Sequence, residues 1–417
     1  MGKMEKDLSI CKDKEVMKFS DQLGIKSKEV RALLDSGIKE VLVLHHNDTD
    51  GLSSAAILVR AFDRENIRVR RICLEKPYPE VVGELFRDSA TSATLILIVD
   101  FGSGMLAEIT QLANKTGRRV VVLDHHSIRG EPSALVKIYS PMISKMSGEE
   151  CSASGVAFNF AVALNEWNRD LAPLAVLGAL GDGLLRQGCL FGVNQENFEE
   201  ALKGKGIDHE FYFKDGNGRY SHQELVSSVD ALGSIGYFRG GPDIAVKGLA
   251  DNDLYGMIEL AKPYQAEFKV AFEECSSNIS IQQTKHITWF NLEDRFEDFG
   301  VKTVGLFCQY LRDQGFVSES RYILGFQPIP AILPGLPILA PRQVKISMRV
   351  PNNLIVEIKK GCMPNLLDIL PEASRALGGF VDACHPFAAS TTIPIGSEDE
   401  LVRLLEKKIS IFNKIVN

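Results

Sequence analysis

Residues 38–51 read IKEVLVLHHNDTDG, and residues 52–62 continue as LSSAAILVRAF. The run of leucine and β-branched residues predicts a buried strand that breaks at Asn47–Gly51. The apolar stretch after the break predicts a helix, with Ser53 and Ser54 as early caps. Working outward, IRVRRICLE (67–75), ATLILIVDF (93–101) and RRVVVLDHH (118–126) predict three further strands. Nearly every residue of the 93–101 run is apolar, as in a strand covered on both faces. Helices are expected between these strands, one opened by Pro79 and one over 105–116. Alternation of strand and helix predicts a parallel α/β sheet. Such open sheets bind ligands beyond the carboxyl ends of their strands. Two more helices are expected at about 152–166 and 170–185.

Before this unit, residues 1–36 read as helical. After it the pattern changes. KDGNGRYSH (214–222) is a polar turn and SIGYFRGGPD (234–243) is glycine-rich, its Gly240-Gly241-Pro242 reading as a loop; helical stretches end near Ser276. Strand-like runs return as RYILGFQ (321–327), QVKISMRV (343–350) and LIVEIKK (354–360). The prolines of IPAILPGLPILAP (329–341) exclude a central strand there. A last helix is expected over about 397–413. The expected fold class is α/β: a parallel-sheet N-terminal domain (1–187), a helical connector (188–284) and a second, smaller α/β domain (285–417).

The composition, 45% apolar and 24% charged over 417 residues, allows sizeable cores. The net charge of −7 argues against a protein wrapped in duplex DNA, so any nucleic-acid contact must use local basic patches or bound cations. None of the eight cysteines forms a C-x-x-C pair. The amino terminus is charged and has no apolar leader, and the longest apolar stretch, near Leu171–Leu180, is too short to span a membrane. A cytoplasmic protein with buried free thiols is expected.

The strand ends carry the chemistry. The first ends in His46-Asn47-Asp48-Thr49-Asp50-Gly51, the third in Asp100, and the fourth in Asp124-His125-His126. Gly181-Asp182-Gly183 closes an apolar helix. Singly, each acid is an ordinary turn or capping residue. Gathered at one sheet edge, they would repel and desolvate one another unless a cation neutralised them. Mixed carboxylate and imidazole donors suit Mn2+ or Mg2+. Two such ions roughly 3.5–4 Å apart are the usual clamp for in-line attack on phosphorus.

In this order and spacing the motifs at residues 46–183 resemble the DHH phosphoesterase superfamily. SIGYFRGGPD and HPFAAS (385–390) are similar to its archaeal RecJ-like branch of single-strand exonucleases. The resemblance implies two Mn2+ ions, with Mg2+ as the alternative. His46, Asp48 and Asp100 would hold one; Asp50, Asp100, His125 and Asp182 the other, with Asp100 bridging. Asp100, Asp124 and His126 would form the catalytic set, His126 facing the scissile phosphate and Asp124 orienting its neighbouring imidazole. In the second domain Arg349 and His385 would contact phosphate, Arg349 otherwise being a solvated strand residue. The family's glycine-rich turn is reduced here to Gly378-Gly379, and Ser390 replaces a glycine. The implied activity is end-directed hydrolysis of single-stranded DNA or RNA in repair or replication, with replication factors or a repair helicase as partners. An oligoribonuclease or cyclic-dinucleotide phosphodiesterase is the alternative enzyme. A binding subunit of a replication or repair assembly is the alternative of another class.

Overall fold

A computed structural model describes residues 23–34, 37–87, 95–336 and 342–416. Most of the expected amino-terminal helical segment lies outside these residues; Ser27–Leu34 forms helix α1. The first half alternates as expected: β1 (Glu40–His45), α2 (Thr49–Arg64), β2 (Arg68–Cys73), α3 (Pro79–Arg87), β3 (Leu95–Val99), α4 (Leu106–Thr116) and β4 (Arg119–Leu123). A fifth strand, β5 (Val136–Tyr139), was not legible, because VKIY is short and its Lys137 is exposed. Helices α5 (Ala153–Leu164) and α6 (Ala172–Gly181) follow. All five strands are parallel, in the order β2-β1-β3-β4-β5. His45 pairs with Val99 and Val99 with Leu123, so His46, Asp100 and Asp124 emerge side by side at the carboxyl edge. Helices α2, α5 and α6 cover one face of the sheet, and α3 and α4 the other.

The expected caps Ser53 and Ser54 lie inside α2; its N-cap is Asp48, whose side chain accepts from Gly51 N. The helix thus starts earlier than the apolar pattern alone indicates.

The middle segment contains α7 (Gly192–Lys203), a hairpin of β6 (Tyr212–Lys214) and β7 (Arg219–Ser221), α8 (His222–Ser234), α9 (Gly241–Asp251) and α10 (Leu254–Asn278). Gly240-Gly241-Pro242 is therefore more than a loop: Gly240 is left-handed and Pro242 sits in the first turn of α9, where its missing N–H costs nothing.

The last part has β8 (Gln282–Gln283), β9 (Ile287–Asn291), α11 (Thr303–Asp313), β10 (Tyr322–Pro328), β11 (Gln343–Arg349), α12 (Asn352–Lys359), α13 (Leu366–Ala376), β12 (Val381–Cys384), β13 (Ala388–Pro394) and α14 (Glu398–Val416). The six strands form a mixed sheet in the order β12-β13-β11-β10-β9-β8. LIVEIKK is not a strand. It lies in helix α12 and its continuation, with Leu354 buried and Ile355 and Ile358 against the core, a helical spacing that a short apolar run disguises. The proline-rich 329–336 stretch is a strap. Ile329, Leu333 and Leu336, with Val301, join the core formed by Leu74, Tyr78 and Phe86 under the first sheet. The two sheets therefore share buried apolar surface.

Among the described cysteines none is in a disulfide. Cys151, Cys275 and Cys308 are buried free thiols as expected, Cys73, Cys189 and Cys384 are half-buried, and Cys362 is exposed. No helix among the described residues is long and apolar enough to cross a membrane.

Candidate metal centre

Local structure aims each side chain. Asp48 uses Oδ1 to cap α2, which leaves Oδ2 facing His46 Nδ1 at 2.8 Å. Gly51 permits the tight turn: a Cβ there would lie 2.6 Å from the His46 carbonyl oxygen. Asp100 adopts φ +63°, a left-handed conformation uncommon for a residue with a side chain but tolerated by Asp. Its amide still donates to Leu123 O at 3.0 Å, so the chain turns within one residue of leaving β3. Asp124 is fully buried and accepts from Ser103 N (2.8 Å), His125 N (2.8 Å) and His126 Nδ1 (2.8 Å). Asp182 caps the end of α6.

These residues converge. His46, Asp48 and Asp100 offer donor atoms within 4.8 Å of one another, as do Asp50, His125 and Asp182, and as do Asp100, His125 and His126. Asp100 lies between the histidines, with Oδ2 3.5 Å from His46 Nδ1 and Oδ1 3.7 Å from His125 Nε2. His125 Nε2 is also 3.1 Å from Asp182 Oδ2 and 4.0 Å from Asp50 Oδ2. It is buried and lies close to these acids without the alignment of a hydrogen bond. A buried imidazole nitrogen without a hydrogen-bond partner, amid three carboxylates, fits a divalent cation by its donor chemistry.

The expected role of Asp124 needs correcting in one respect. Its carboxylate orients the His126 ring; the ring of His125 is instead held by Gly148 O, 2.9 Å from Nδ1. His46 is fixed likewise, its Nε2 3.1 Å from Glu75 O. Backbone carbonyls thus set both imidazoles, and they carry no residue-type signature. Asp50 accepts from Ala153 N and Ser154 N at the start of α5, which steadies its charge as helix N-termini do.

Burial and mutual repulsion shape the ionisation of the cluster. Burial, with the Asp182 charge, pushes Asp50 up to about 7. Burial and then the neighbouring Asp48 and Asp50 raise Asp100 well above the usual carboxylate range. Burial disfavours a charged His125, but Asp182, Asp50 and Asp124 outweigh it and raise the imidazole to about 10. Asp124 is held low against its burial by His126 and His125. Without a cation, the cluster balances its charge by retaining protons.

The second domain brings one expected residue, His385, near this cluster. Arg349, half-buried at the end of β11, donates to Met348 O at 3.0 Å and pairs with no carboxylate among the described residues. Burial lowers its pKa. The hydroxyl of Ser347, two residues earlier in β11, is buried without a hydrogen-bond partner. His385 lies within electrostatic reach of His126, Asp182, His125 and Arg349; its pKa is lowered by burial first and then by His126.

Lys302, which sequence reasoning missed, places Nζ 3.4 Å from Asp48 Oδ2 and 3.8 Å from Asp230 Oδ1. Asp230 in turn accepts from Thr49 N and Thr49 Oγ1. Glu75 accepts from Asn47 Nδ2, Val301 N and Lys302 N. The 300–302 turn therefore docks on the metal-site loop, a contact 226 residues apart in sequence for which no local pattern exists.

Comparison with known proteins agrees with this architecture. Residues 40–180 match the DHH family, N-terminal domain. An uncharacterized protein of Methanocaldococcus jannaschii is 31% identical over 165 residues, a match covering 39% of this chain and 36% of that protein. Among solved structures, exonuclease RecJ bound to manganese superposes with a TM-score of 0.57 at 18% identity, covering 92% of this chain and 94% of that one. RecJ of Thermus thermophilus in complex with Mn2+ gives 0.59 at 17% identity, covering 92% of this chain and 54% of that one. The DHH domain of a member of a family of ribosomal proteins gives 0.63 at 16% identity, covering 98% and 97%. At these identities the superpositions establish a RecJ-like fold, and the family match is confined to residues 40–180, which match the DHH family, N-terminal domain.

Proposed function

We propose that this protein is a two-metal phosphodiesterase that degrades single-stranded nucleic acid from an end. The observation that carries the reading is Asp100, whose two oxygens face His46 and His125, the imidazoles of two separate donor groups. His46, Asp48 and Asp100 would hold one ion, and Asp50, Asp100, His125 and Asp182 the other. Mn2+, which the RecJ structures carry, suits this oxygen-and-imidazole set, and Mg2+ is the alternative. When bound, such a pair supplies an acidified water and neutralises charge on the phosphoryl group.

The chain's own groups do the rest. Asp124 holds His126 by Nδ1, and its charge outweighs burial to raise the imidazole's pKa, so His126 offers a proton beside the reacting phosphate. Arg349 and His385, from the second domain, would hold substrate phosphates; in support, His385 lies within electrostatic reach of His126, Asp182 and Arg349. A half-buried guanidinium with no counter-ion among the described residues is suited to a substrate phosphate. The shared core around Leu333 keeps the two walls of the cleft together, and the strand lies between them. On the RecJ resemblance, the activity belongs to cytoplasmic DNA repair or replication, alongside replication factors or a repair helicase.

The test is a timed digestion of single-stranded DNA and RNA, labelled at either end, with Mn2+ and with chelator. Metal-dependent release of mononucleotides from one end supports the reading. Cleavage of a circular strand as fast as a linear one would replace exonuclease with endonuclease, and undiminished cleavage in chelator would end the two-metal account.

A further inference from the structure

Glu75 lies just beyond β2 and is buried. Its carboxylate meets segments far apart in the chain. Oε2 accepts from Val301 N at 2.9 Å, and Oε1 accepts from Lys302 N at 3.3 Å and from Asn47 Nδ2 at 3.2 Å. Asn47 Nδ2 also donates to Gly233 O at 2.9 Å, and Gly300 N donates to Ser234 O at 2.8 Å. The metal-site loop, the end of α8 and the turn before α11 are thus fastened around one carboxylate. The fit is close at both glycines. A Cβ on Gly233 would overlap Asn47 O, and one on Gly300 would overlap Glu75 Oε1 and lie 2.8 Å from Ser234 O. Two residues of the SIGYFRGGPD stretch take part. Ser234 does so through its carbonyl, and the Tyr237 hydroxyl donates to Cys73 O at 2.9 Å, fixing the chain two residues before Glu75.

The backbone of Glu75 reaches the metal centre itself. Leu74 N donates to His45 O at 2.9 Å, which carries the pairing of β1 and β2 up to the site. One residue further on, Glu75 O is 3.1 Å from His46 Nε2. A proton on Nε2 leaves the Nδ1 lone pair directed at the Asp48 and Asp100 carboxylates, as a metal donor requires. The other donor group has different supports. Asp50 accepts from Ala153 N and Ser154 N, and the His125 ring is held by Gly148 O. These supports come from α5 and the loop before it, not from Glu75 or the 300–302 turn.

We propose that Glu75 is a positioning residue that makes cation affinity at the His46 group depend on the docking of the 300–302 turn. Its side chain holds the turn and Asn47, and its carbonyl holds the His46 ring, so displacing the turn moves the ring. Hydrogen bonds to a ligating imidazole set its orientation and basicity, and losing one weakens metal binding by about tenfold or more. The inference rests on the two-ion reading above and divides its sites: the His46 group needs the distant turn, and the His125 group does not.

The experiment titrates the full chain with Mn2+, reading free ion and spin-coupled pairs by electron paramagnetic resonance and the two affinities by calorimetry. It uses the parent, Glu75→Ala, Gly300→Ala, His46→Ala and the double variant His46→Ala/Gly300→Ala. Gly300→Ala displaces the turn by steric overlap without removing any group at the site, and it carries the test if Glu75→Ala does not fold. The parent is expected to bind two ions, and Glu75→Ala and Gly300→Ala each to weaken one of them by about tenfold. The signal of the coupled pair then needs correspondingly more Mn2+, while affinity for the other ion stays as in the parent. In the His46→Ala background Gly300→Ala causes no further loss, because its target is already gone. Equal loss at both ions, or loss at neither, overturns the proposal, as does a loss that persists in the His46→Ala background. A parent that binds fewer than two ions ends the two-ion reading itself; a two-ion parent with unaffected variants removes only the role of Glu75.

Discussion

Replacing Asp100 by Asn tests the site at its centre. Asn keeps the size of the side chain and tolerates the left-handed backbone at φ +63°, so the turn out of β3 should form as before. What disappears is the negative charge between His46 Nδ1 at 3.5 Å and His125 Nε2 at 3.7 Å. At 3.5 Å and an effective dielectric near 20, the Asp100 carboxylate is worth roughly 4–5 kcal/mol to a unit positive charge at the His46 nitrogen, which sets the scale of what its removal would cost. If that difference is expressed in the transition state, the rate falls by about three orders of magnitude. Bound Mn2+ should drop from two ions to one or fewer, because both donor groups lose a shared member. The metal-free variant should be no less stable than the parent, since Asp100 is already raised by burial and by the charges of Asp48 and Asp50. The assays are single-strand hydrolysis, Mn2+ titration by calorimetry and chemical denaturation in chelator. A variant that keeps two bound ions and a rate within tenfold of the parent would refute the placement of the bridge.

The metal-free protein should lose stability as pH rises from about 6.5 to 9. His125, raised to about 10 in the folded state, binds its proton more tightly folded than unfolded, and Asp50 and Glu75, each near 7, add the same sign at the lower end. The histidines with lowered values, such as His45, contribute the opposite slope only below about 6.5. Saturating Mn2+ should flatten the decline, and thermal melts with chelator and with Mn2+ at several pH values check it; a rise in metal-free stability over that range would contradict it. Leu333→Ala should lower unfolding stability by about 2–4 kcal/mol, as a buried strap residue in the shared core, with no change expected if the strap is peripheral; urea denaturation decides. Lys302→Gln should tighten Mn2+ binding by about threefold, because it removes an ammonium 3.4 Å from Asp48; weaker binding would mean that Lys302 positions Asp48 instead of competing with the cation.

The first sheet was legible because parallel strands covered on both faces are written as continuous apolar runs. VLVL, LILIV and RVVVL stand out from any helical pattern. The acids that follow them were legible as a set, since register in a parallel sheet brings successive strand ends to one edge. The second sheet was less so: LIVEIKK carries no period long enough to separate strand from helix, and β12 is only four residues long, parted from β13 by a turn that contains His385-Pro386. Local sequence, then, determined the first sheet and which side chains could bind a cation. Tertiary structure alone decided what surrounds them. The carbonyls of Glu75 and Gly148 that orient His46 and His125, the Lys302 turn against Asp48, and the strap carrying Leu333 across to Leu74 and Tyr78 join segments distant in the chain. A backbone carbonyl has no residue signature, and a long-range contact depends on how two sheets pack, so neither can be read from neighbouring residues.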